Sequence, residues 1–397
     1  METTQIQDGK LGKTIPIPSV VFVLGTADWH KWIYPFLTSP AYCTTVVVSG
    51  AAGPETAPGI ARIIKQTELD TDARAEAILA EAPDAVVVLP HQDSLVEDTA
   101  LGQRLATISG LRVITTSIDA ARCGTEKIYM KEAFDRLSIP TPSYFSHEQP
   151  EFRDGEMLFY PAYLKRSADH EGKGNLLVES RQDYVNAITE FLNGNLSAYF
   201  EELVEGEELS VVVAGTPGSI CVLPPVYKGI ACAGADHPAR RFRFCSPDHR
   251  AVEDAADLYR YGEAIIEHFG TGGLIEVEAV RRGSGFCVLE VNMRLAATLR
   301  MSMLASGINV LSWLGQQALT PGIGKPKPGE KRYVCEFPVK PQYDAMSVKH
   351  VGSLDYITTT TRFTVHAASK CGLVHNVREV VGILGDTELL DRVKELT

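Results

Sequence analysis

Two or three carboxylates, an amide and a guanidinium recur at two-residue spacing in one stretch, Gly273 to Arg294. Glu276 and Glu278 precede the run Arg282-Gly-Ser-Gly285, and Glu290, Asn292 and Arg294 follow it. The flanking residues are β-branched and apolar and the glycines fall between them, so the spacing predicts a β-hairpin. Side chains alternate faces along a strand, which groups Glu276 with Glu278, and Glu290 with Asn292 and Arg294. Carboxylates packed so closely repel and raise one another's pKa. A hard cation relieves the repulsion, and Mg²⁺ favours carboxylate and amide oxygens together with substrate phosphates. An exposed hairpin with solvated charges is the plain alternative for one such strand. The Glu-x-Asn-x-Arg triplet opposite a second acidic strand favours the metal site, with Glu276 and Glu278 competing to supply the first ligand.

Three other segments carry groups that could act with it. Lys165 ends an apolar strand and leads into Ser167-Ala-Asp-His-Glu-Gly-Lys-Gly-Asn175. Glycines after a strand let backbone N–H groups approach phosphates, and Lys165 and Lys173 would add charge. A mobile surface hairpin fits that loop equally well. Glu201-Glu-Leu-Val-Glu-Gly-Glu-Glu208 is dense in acids around an apolar pair, and a solvated edge is the usual meaning of such a run. His237-Pro-Ala-Arg-Arg-Phe-Arg243 belongs to the dense basic cluster of an acidic chain. If extended, it sets Arg241 and Arg243 on one face. No Ser/His/Asp or Cys/His constellation stands out as a protein nucleophile.

The elements that must hold these groups follow from periodicity. Val20–Gly25, Thr45–Ser49 and Ala85–Leu89 are continuous apolar runs, with a helical Asp72–Glu81 between the second and third. Such runs predict buried parallel strands, hence an open α/β domain. The first run ends in one glycine and lacks Gly-x-Gly-x-x-Gly, which argues against a dinucleotide site and a nicotinamide-dependent oxidoreductase. His91 and Asp93 sit where ligands bind in α/β sheets but read as loop polar residues. Lys127–Leu137 is an amphipathic helix ending at Ile139-Pro-Thr-Pro142, and helices are also expected over Gln182–Phe191, Ala251–Phe269, Val310–Leu319 and Thr387–Leu396. Pro321 to Glu330 reads as a linker.

A chain of 397 residues exceeds one compact core and implies two to four domains. Its formal charge of -12 excludes a nucleic-acid scaffold held by phosphate contacts. The eight cysteines form no C-x-x-C pair and read as reduced, mostly buried thiols. With a polar N-terminus and no apolar run of membrane-spanning length, the expected localisation is cytoplasmic.

From about residue 120 to 320 the chain resembles the ATP-grasp carboxylate–amine ligases. The Lys127 helix ending before a proline, Lys165 with its glycine loop, the acidic 201–208 segment and Val277-Glu278 with Glu290-Val-Asn-Met-Arg294 come in the family's order. Met293 stands where the family signature has proline. The resemblance implies an ATP-grasp fold preceded by an open parallel-sheet α/β domain and followed by a small α+β appendage. The expected units are 1–119, a central lid subdomain 120–200, a metal-bearing subdomain 201–325, and the appendage 326–397. It implies ATP and Mg²⁺ as cofactors. Lys127 and Lys165 would bind phosphates, Glu201 and Val204 read adenine, Glu208 hold the ribose and Leu289 flank the base. Glu278, Glu290 and Asn292 would hold the metal, Glu278 being preferred because Val277-Glu278-Ala279 fits the family strand pattern.

The implied reaction joins a carboxylate to an amine through an acylphosphate and releases ADP and phosphate, with amino acids or small relatives as substrates. Arg294 is the candidate donor to the tetrahedral oxyanion, and Arg241 or Arg243 the candidate contact to a substrate carboxylate or the transferred phosphoryl group. Other ATP-grasp chemistry, as carboxylase or phosphotransferase, and a non-catalytic nucleotide-binding module are the alternatives. The expected partners are small-molecule acids and amines; a homodimer is compatible, and neither nucleic acid nor membrane is expected.

Overall fold

The computed structural model describes residues 16–25, 32–50, 54–67, 70–149, 152, 159–167, 175–191, 198–233, 241–248, 255–338, 354–357, 362–384 and 387–397. The glycine loop after Ser167 and residues 237–240 of the basic stretch lie outside them.

The apolar runs of the first unit form strands β1 (Ser19–Leu24), β2 (Cys43–Ser49) and β4 (Ala85–Leu89). Two strands not anticipated from periodicity, β3 (Arg62–Gln66) and β5 (Arg112–Ile114), complete a parallel sheet of order β3-β2-β1-β4-β5. Both faces are covered, which is why its central strands are apolar throughout. Val21 and Val23 pack with Ala75, Ile78, Leu101 and Leu105 of helices α2 (Thr71–Leu79) and α3 (Leu95–Ala106). Val20, Phe22 and Leu24 face a second core shared with Leu311, Trp313 and Leu314, far along the chain. A short helix α1 (Tyr34–Leu37) joins that core, and α4 (Ile118–Thr125) leads out of the unit.

The central unit begins with α5 (Lys127–Leu137), which has the expected limits. Strands β6 (Tyr144–Ser146), β7 (Ala162–Arg166), β8 (Leu176–Val178) and β9 (Ala198–Glu202) make an antiparallel sheet of order β6-β9-β7-β8, and α6 (Arg181–Phe191) packs Tyr184 against Phe200 and Leu164. The expected division between residues 200 and 201 therefore falls inside β9.

The third sheet has nine strands. They are β10 (Gly206–Thr216), β11 (Ser219–Val222), β12 (Val226–Ala231), β13 (Arg243–Cys245), β14 (Gly273–Arg282), β15 (Gly285–Asn292), β16 (Tyr333–Pro338), β17 (Leu354–Ile357) and β18 (Arg362–Ala367). Their order is β15-β14-β10-β12-β13-β16-β18-β17, with β11 on β10. One face of β10 and β14 (Leu209, Val211, Ile275, Val277, Ala279) packs on α5 and α7 (Ala256–Phe269). The opposite face is apolar near the first unit, where Val212, Ala214 and Leu274 join its core, and charged beyond it. Helices α8 (Leu299–Ser306) and α9 (Val310–Leu319) follow the hairpin, and α10 (Lys370–Leu384) and α11 (Thr387–Leu396) cover the last strands. The expected separation at residue 326 is not a break in the sheet, because β13 pairs with β16. β16, β18 and β17 continue the sheet of the hairpin, and with α10 and α11 they enclose a core of their own.

The hairpin is moored at both ends to the first unit. Gly272 donates to the Thr115 carbonyl at 3.0 Å, and Leu295 donates to the Pro90 carbonyl at 3.1 Å. Its acidic face thus lies beside the C-terminal ends of the parallel strands, where α/β sheets place ligands. Among the described residues no helix is long and apolar enough to cross a membrane. All eight cysteines are free.

Candidate active site

The hairpin pairs as its alternation requires. Glu276 stands opposite Asn292, and Glu278 opposite Glu290. A bulge between Glu278 and Ala279 makes Val288 the next partner, so Leu289 is the extra residue on β15. A bulge re-aims side chains locally, and here it lies beside the acidic cluster. Arg294 is past the end of β15 yet reaches back, its Nη2 donating to Asn292 Oδ1 at 3.3 Å.

The positive partners of these carboxylates come from three other elements. Lys127, at the start of α5, sets its Nζ 2.5 Å from Glu290. Lys228 of β12 is buried against Glu278 and lies 3.0 Å from Glu208 of β10. The Asn292 amide nitrogen donates to Glu278 at 3.1 Å and to Glu276 at 3.4 Å. Glu276 also accepts a hydrogen bond from Thr298, so it is tied to the segment before α8. Glu278 faces Glu290 and a lysine, whereas Glu276 is closed off by a hydroxyl and an amide.

Electrostatics splits the facing pair. Burial pushes the Glu278 carboxyl up to about 7 against the pull of Lys228, with Glu276, Glu290 and Glu208 adding to the rise. Burial acts on Glu290 too, but the Lys127 ammonium, with Lys228 and Lys165, holds it far below the usual carboxylate range. Two neighbouring carboxylates with opposite shifts are a frequent sign of a working site. Burial alone would depress Lys228; Glu278, Glu208 and Glu276 raise it instead, so it stays charged.

A second cluster lies next to the first. Glu201 of β9 is buried between Lys131 Nζ at 2.6 Å and Lys165 Nζ. Against the cost of burial, these two ammonium groups keep its carboxyl below its ordinary value. Lys131 also donates to Thr141 Oγ1 at 2.7 Å and to the Leu289 carbonyl at 3.0 Å, joining the central unit to the bulge of the hairpin. Val204 and Leu289 meet in one apolar cluster with Ala231, Val280 and Cys287. Glu208 holds Lys228 on one side and Arg241 on the other. Arg243 is directed away from these, to Glu336 of β16 at 3.1 Å.

Ten of the twelve residues singled out by sequence thus fall within two adjoining clusters or the apolar patch between them: Lys127, Lys165, Glu201, Val204, Glu208, Arg241, Glu278, Leu289, Glu290 and Asn292. Arg294 flanks the first cluster, and Arg243 stands apart from both. Sequence reasoning missed Lys131 and Lys228. Lys131 lies one helical turn from Lys127, so the same helix face signals it. Lys228 is a lone cation in the apolar run Val226-Tyr-Lys-Gly-Ile-Ala231, a weaker signal. Among the described residues no three His, Cys, Asp or Glu side chains form a ready-made metal cage. Two carboxylates and an amide are the partial oxygen shell that Mg²⁺ completes with water and phosphate, so Glu278, Glu290 and Asn292 fit that ion.

Three sheets arranged in this way define the ATP-grasp fold, and the comparisons agree. The L-amino acid ligase from Bacillus licheniformis superposes with a TM-score of 0.68 at 14% identity, covering 93% of this chain and 98% of that one. Residues 232–337 match the family described as ATP-grasp in the biosynthetic pathway with Ter operon. By sequence the chain is 26% identical over 250 residues to a carbamoyl-phosphate synthase of Methanobrevibacter smithii, covering 62% of this chain and 67% of that protein. It is 27% identical over 206 residues to a phosphoribosylamine–glycine ligase of Chlorobaculum tepidum, covering 48% of this chain and 46% of the relative. The chain thus spans about half the length of the second relative. The resemblance to ATP-grasp ligases and the expected fold class both hold.

Proposed function

We propose that the chain is an ATP- and Mg²⁺-dependent ligase that joins a carboxylate to an amine through an acylphosphate. The observation that carries this reading is the convergence of Lys127 of α5 and Glu290 of the hairpin at 2.5 Å, with Glu278 and Asn292 facing them. Cations from one unit and a partial oxygen shell from another meet at one place, as binding a metal-complexed polyphosphate requires. Lys127 and Lys165 bind phosphate oxygens, and Glu278, Glu290 and Asn292 hold the metal. When bound, Mg²⁺ neutralises charge on the transferring phosphoryl group.

Val204 and Leu289 form part of the adenine pocket and Glu208 faces the ribose. Glu201 holds Lys131 and Lys165 in place, and the backbone beside it reads the base. The substrate carboxylate attacks the terminal phosphorus and ADP departs. The amine then adds to the acyl carbon and gives up a proton to solvent, Arg294 donates to the oxyanion, and phosphate leaves as the amide forms. Amino acids or small relatives are the expected substrates.

The test incubates the protein with ATP, Mg²⁺ and a panel of amino acids and simple carboxylates, measuring phosphate release and product mass. Hydroxylamine in place of the amine should trap the acylphosphate as a hydroxamate. Phosphate release that needs bicarbonate alone, or a phosphorylated product without an amide, would refute the ligase reading.

A further inference from the structure

Beyond the hairpin, the charged face of the large sheet continues through β12, β13, β16 and β18. Glu336 of β16 is fully buried there. Its Oε1 accepts from Arg362 Nε at 2.7 Å and from Arg243 Nη1 at 3.1 Å, and its Oε2 accepts from Thr364 Oγ1 at 3.0 Å. Arg300 of α8 lies 3.8 Å from the same carboxylate. Burial raises the Glu336 carboxyl, but the three guanidinium groups prevail and hold it low.

Arg362 makes one more contact. Its Nη2 donates to the backbone carbonyl of Arg241 at 2.8 Å. The Arg241 side chain holds Glu208, Glu208 holds Lys228, and Lys228 holds Glu278. Arg243 is opposite Glu336 in the β13–β16 register. The Tyr227–Phe244 pairing also brings it alongside Lys228. A continuous line of direct contacts therefore runs from the last strands to the facing carboxylates of the hairpin.

We propose that Glu336 and Arg362 are positioning residues for the nucleotide and metal site, acting through Arg241. A buried ionic cluster is a poor device for stability alone, since apolar side chains of similar volume commonly hold strands as well or better. What the ions add is direction: a guanidinium fork that bridges a fixed carboxylate and one backbone carbonyl sets where the chain resumes at Arg241. The last three strands are then part of the site. The matched family segment, which ends at residue 337, includes Glu336. This inference rests on the function proposed above, with Glu208 and Glu278 facing nucleotide and metal.

The test uses the full chain and MgADP, with affinity measured by calorimetry and folding by circular dichroism. Arg362→Lys keeps the charge but cannot bridge Glu336 and the Arg241 carbonyl, and Glu336→Gln keeps the shape. Each should raise the MgADP dissociation constant by roughly tenfold, the scale of one charge-assisted contact. Those losses should largely disappear when either change is made in Arg241→Met, because the route through Arg241 is already cut. Unchanged affinity in folded Arg362→Lys, or a loss equally large with and without Arg241, would overturn the inference. Should Glu336→Gln fail to fold, Arg362→Lys decides alone. A wild-type protein that binds no MgADP overturns the underlying reading and this inference with it, whereas normal wild-type binding with unaffected variants overturns the inference only.

Discussion

Between about pH 5 and about pH 8 the cation-free protein should lose stability through one side chain, Glu278. Burial, with three neighbouring carboxylates adding to it and Lys228 opposing it, lifts its pKa from 4.5 to about 7. The fold therefore binds this proton more tightly than the unfolded chain does. The contribution is complete below the unfolded value and is lost as pH rises through about 7. At about 1.4 kcal/mol per unit, the full span amounts to about 3 kcal/mol. Glu278 titrates together with Lys228 and Glu290, so the transition belongs to the group. Glu278→Gln keeps the shape and cannot ionise. Urea unfolding in chelator should show the wild type losing up to about 3 kcal/mol against this variant across the interval, most of it between about pH 5 and about pH 7. At about pH 8, Mg²⁺ with ADP should stabilise the wild type far more than the variant. A wild type–variant difference that stays flat with pH would refute the assignment of Glu278 as the carboxylate loaded by its neighbours.

Glu290→Gln removes the partner of Lys127 and a proposed metal ligand, so phosphate release should fall by orders of magnitude; near-normal turnover would sink the metal assignment. Glu278→Gln should abolish activity while Glu276→Gln, whose carboxylate is tied to Thr298, keeps a measurable fraction. The reverse result would shift the site by two residues along β14. Lys131→Met leaves Glu201 buried with one ammonium in place of two and should cost about 3–5 kcal/mol in urea unfolding; a loss below about 1 kcal/mol would mean that Lys165 alone satisfies it. Arg241→Met, which removes the contact to Glu208, should lower kcat/KM by about tenfold to a hundredfold, the scale of a charged hydrogen bond, whereas Arg243→Met, whose guanidinium is held by Glu336 away from both clusters, should lower it less. Because Arg241 touches Glu208, its loss should raise KM for ATP more than that of Arg243; the opposite ranking would count against the contacts seen here.

The hairpin was legible because alternation is a local property. Two-residue spacing fixes which side chains share a face, and Glu278 and Glu290 do stand opposite each other. What alternation cannot report is the partner that arrives from elsewhere. Lys228 is one cation in an apolar strand, and nothing near it in sequence distinguishes a surface lysine from one buried between Glu208 and Glu278. Glu201 shows the same limit from the other side. In a run of acids it resembles a solvated edge, yet on β9 it points inward to Lys131 and Lys165. β3 and β5 leave little signal in the sequence because Arg62, Lys65 and Arg112 interrupt short edge strands that need little burial.

The stretch around residue 326 shows a related limit. A stretch rich in proline and glycine does mark a connection without regular structure, but it does not say whether the strand beyond it starts a new sheet or joins an old one. That choice is made by edge pairing between β13 and β16, whose residues lie about ninety positions apart, a separation at which loop closure costs little more than at half the length. Charge offers a reason for the choice. Glu336 brings a buried carboxylate to an edge where Arg243 already presents a guanidinium, and either one left alone would be costly to bury. The pairing of those two strands brings those two side chains together, so the strands that follow the proline- and glycine-rich stretch are joined to the hairpin's sheet at the carboxylate that also receives Arg362.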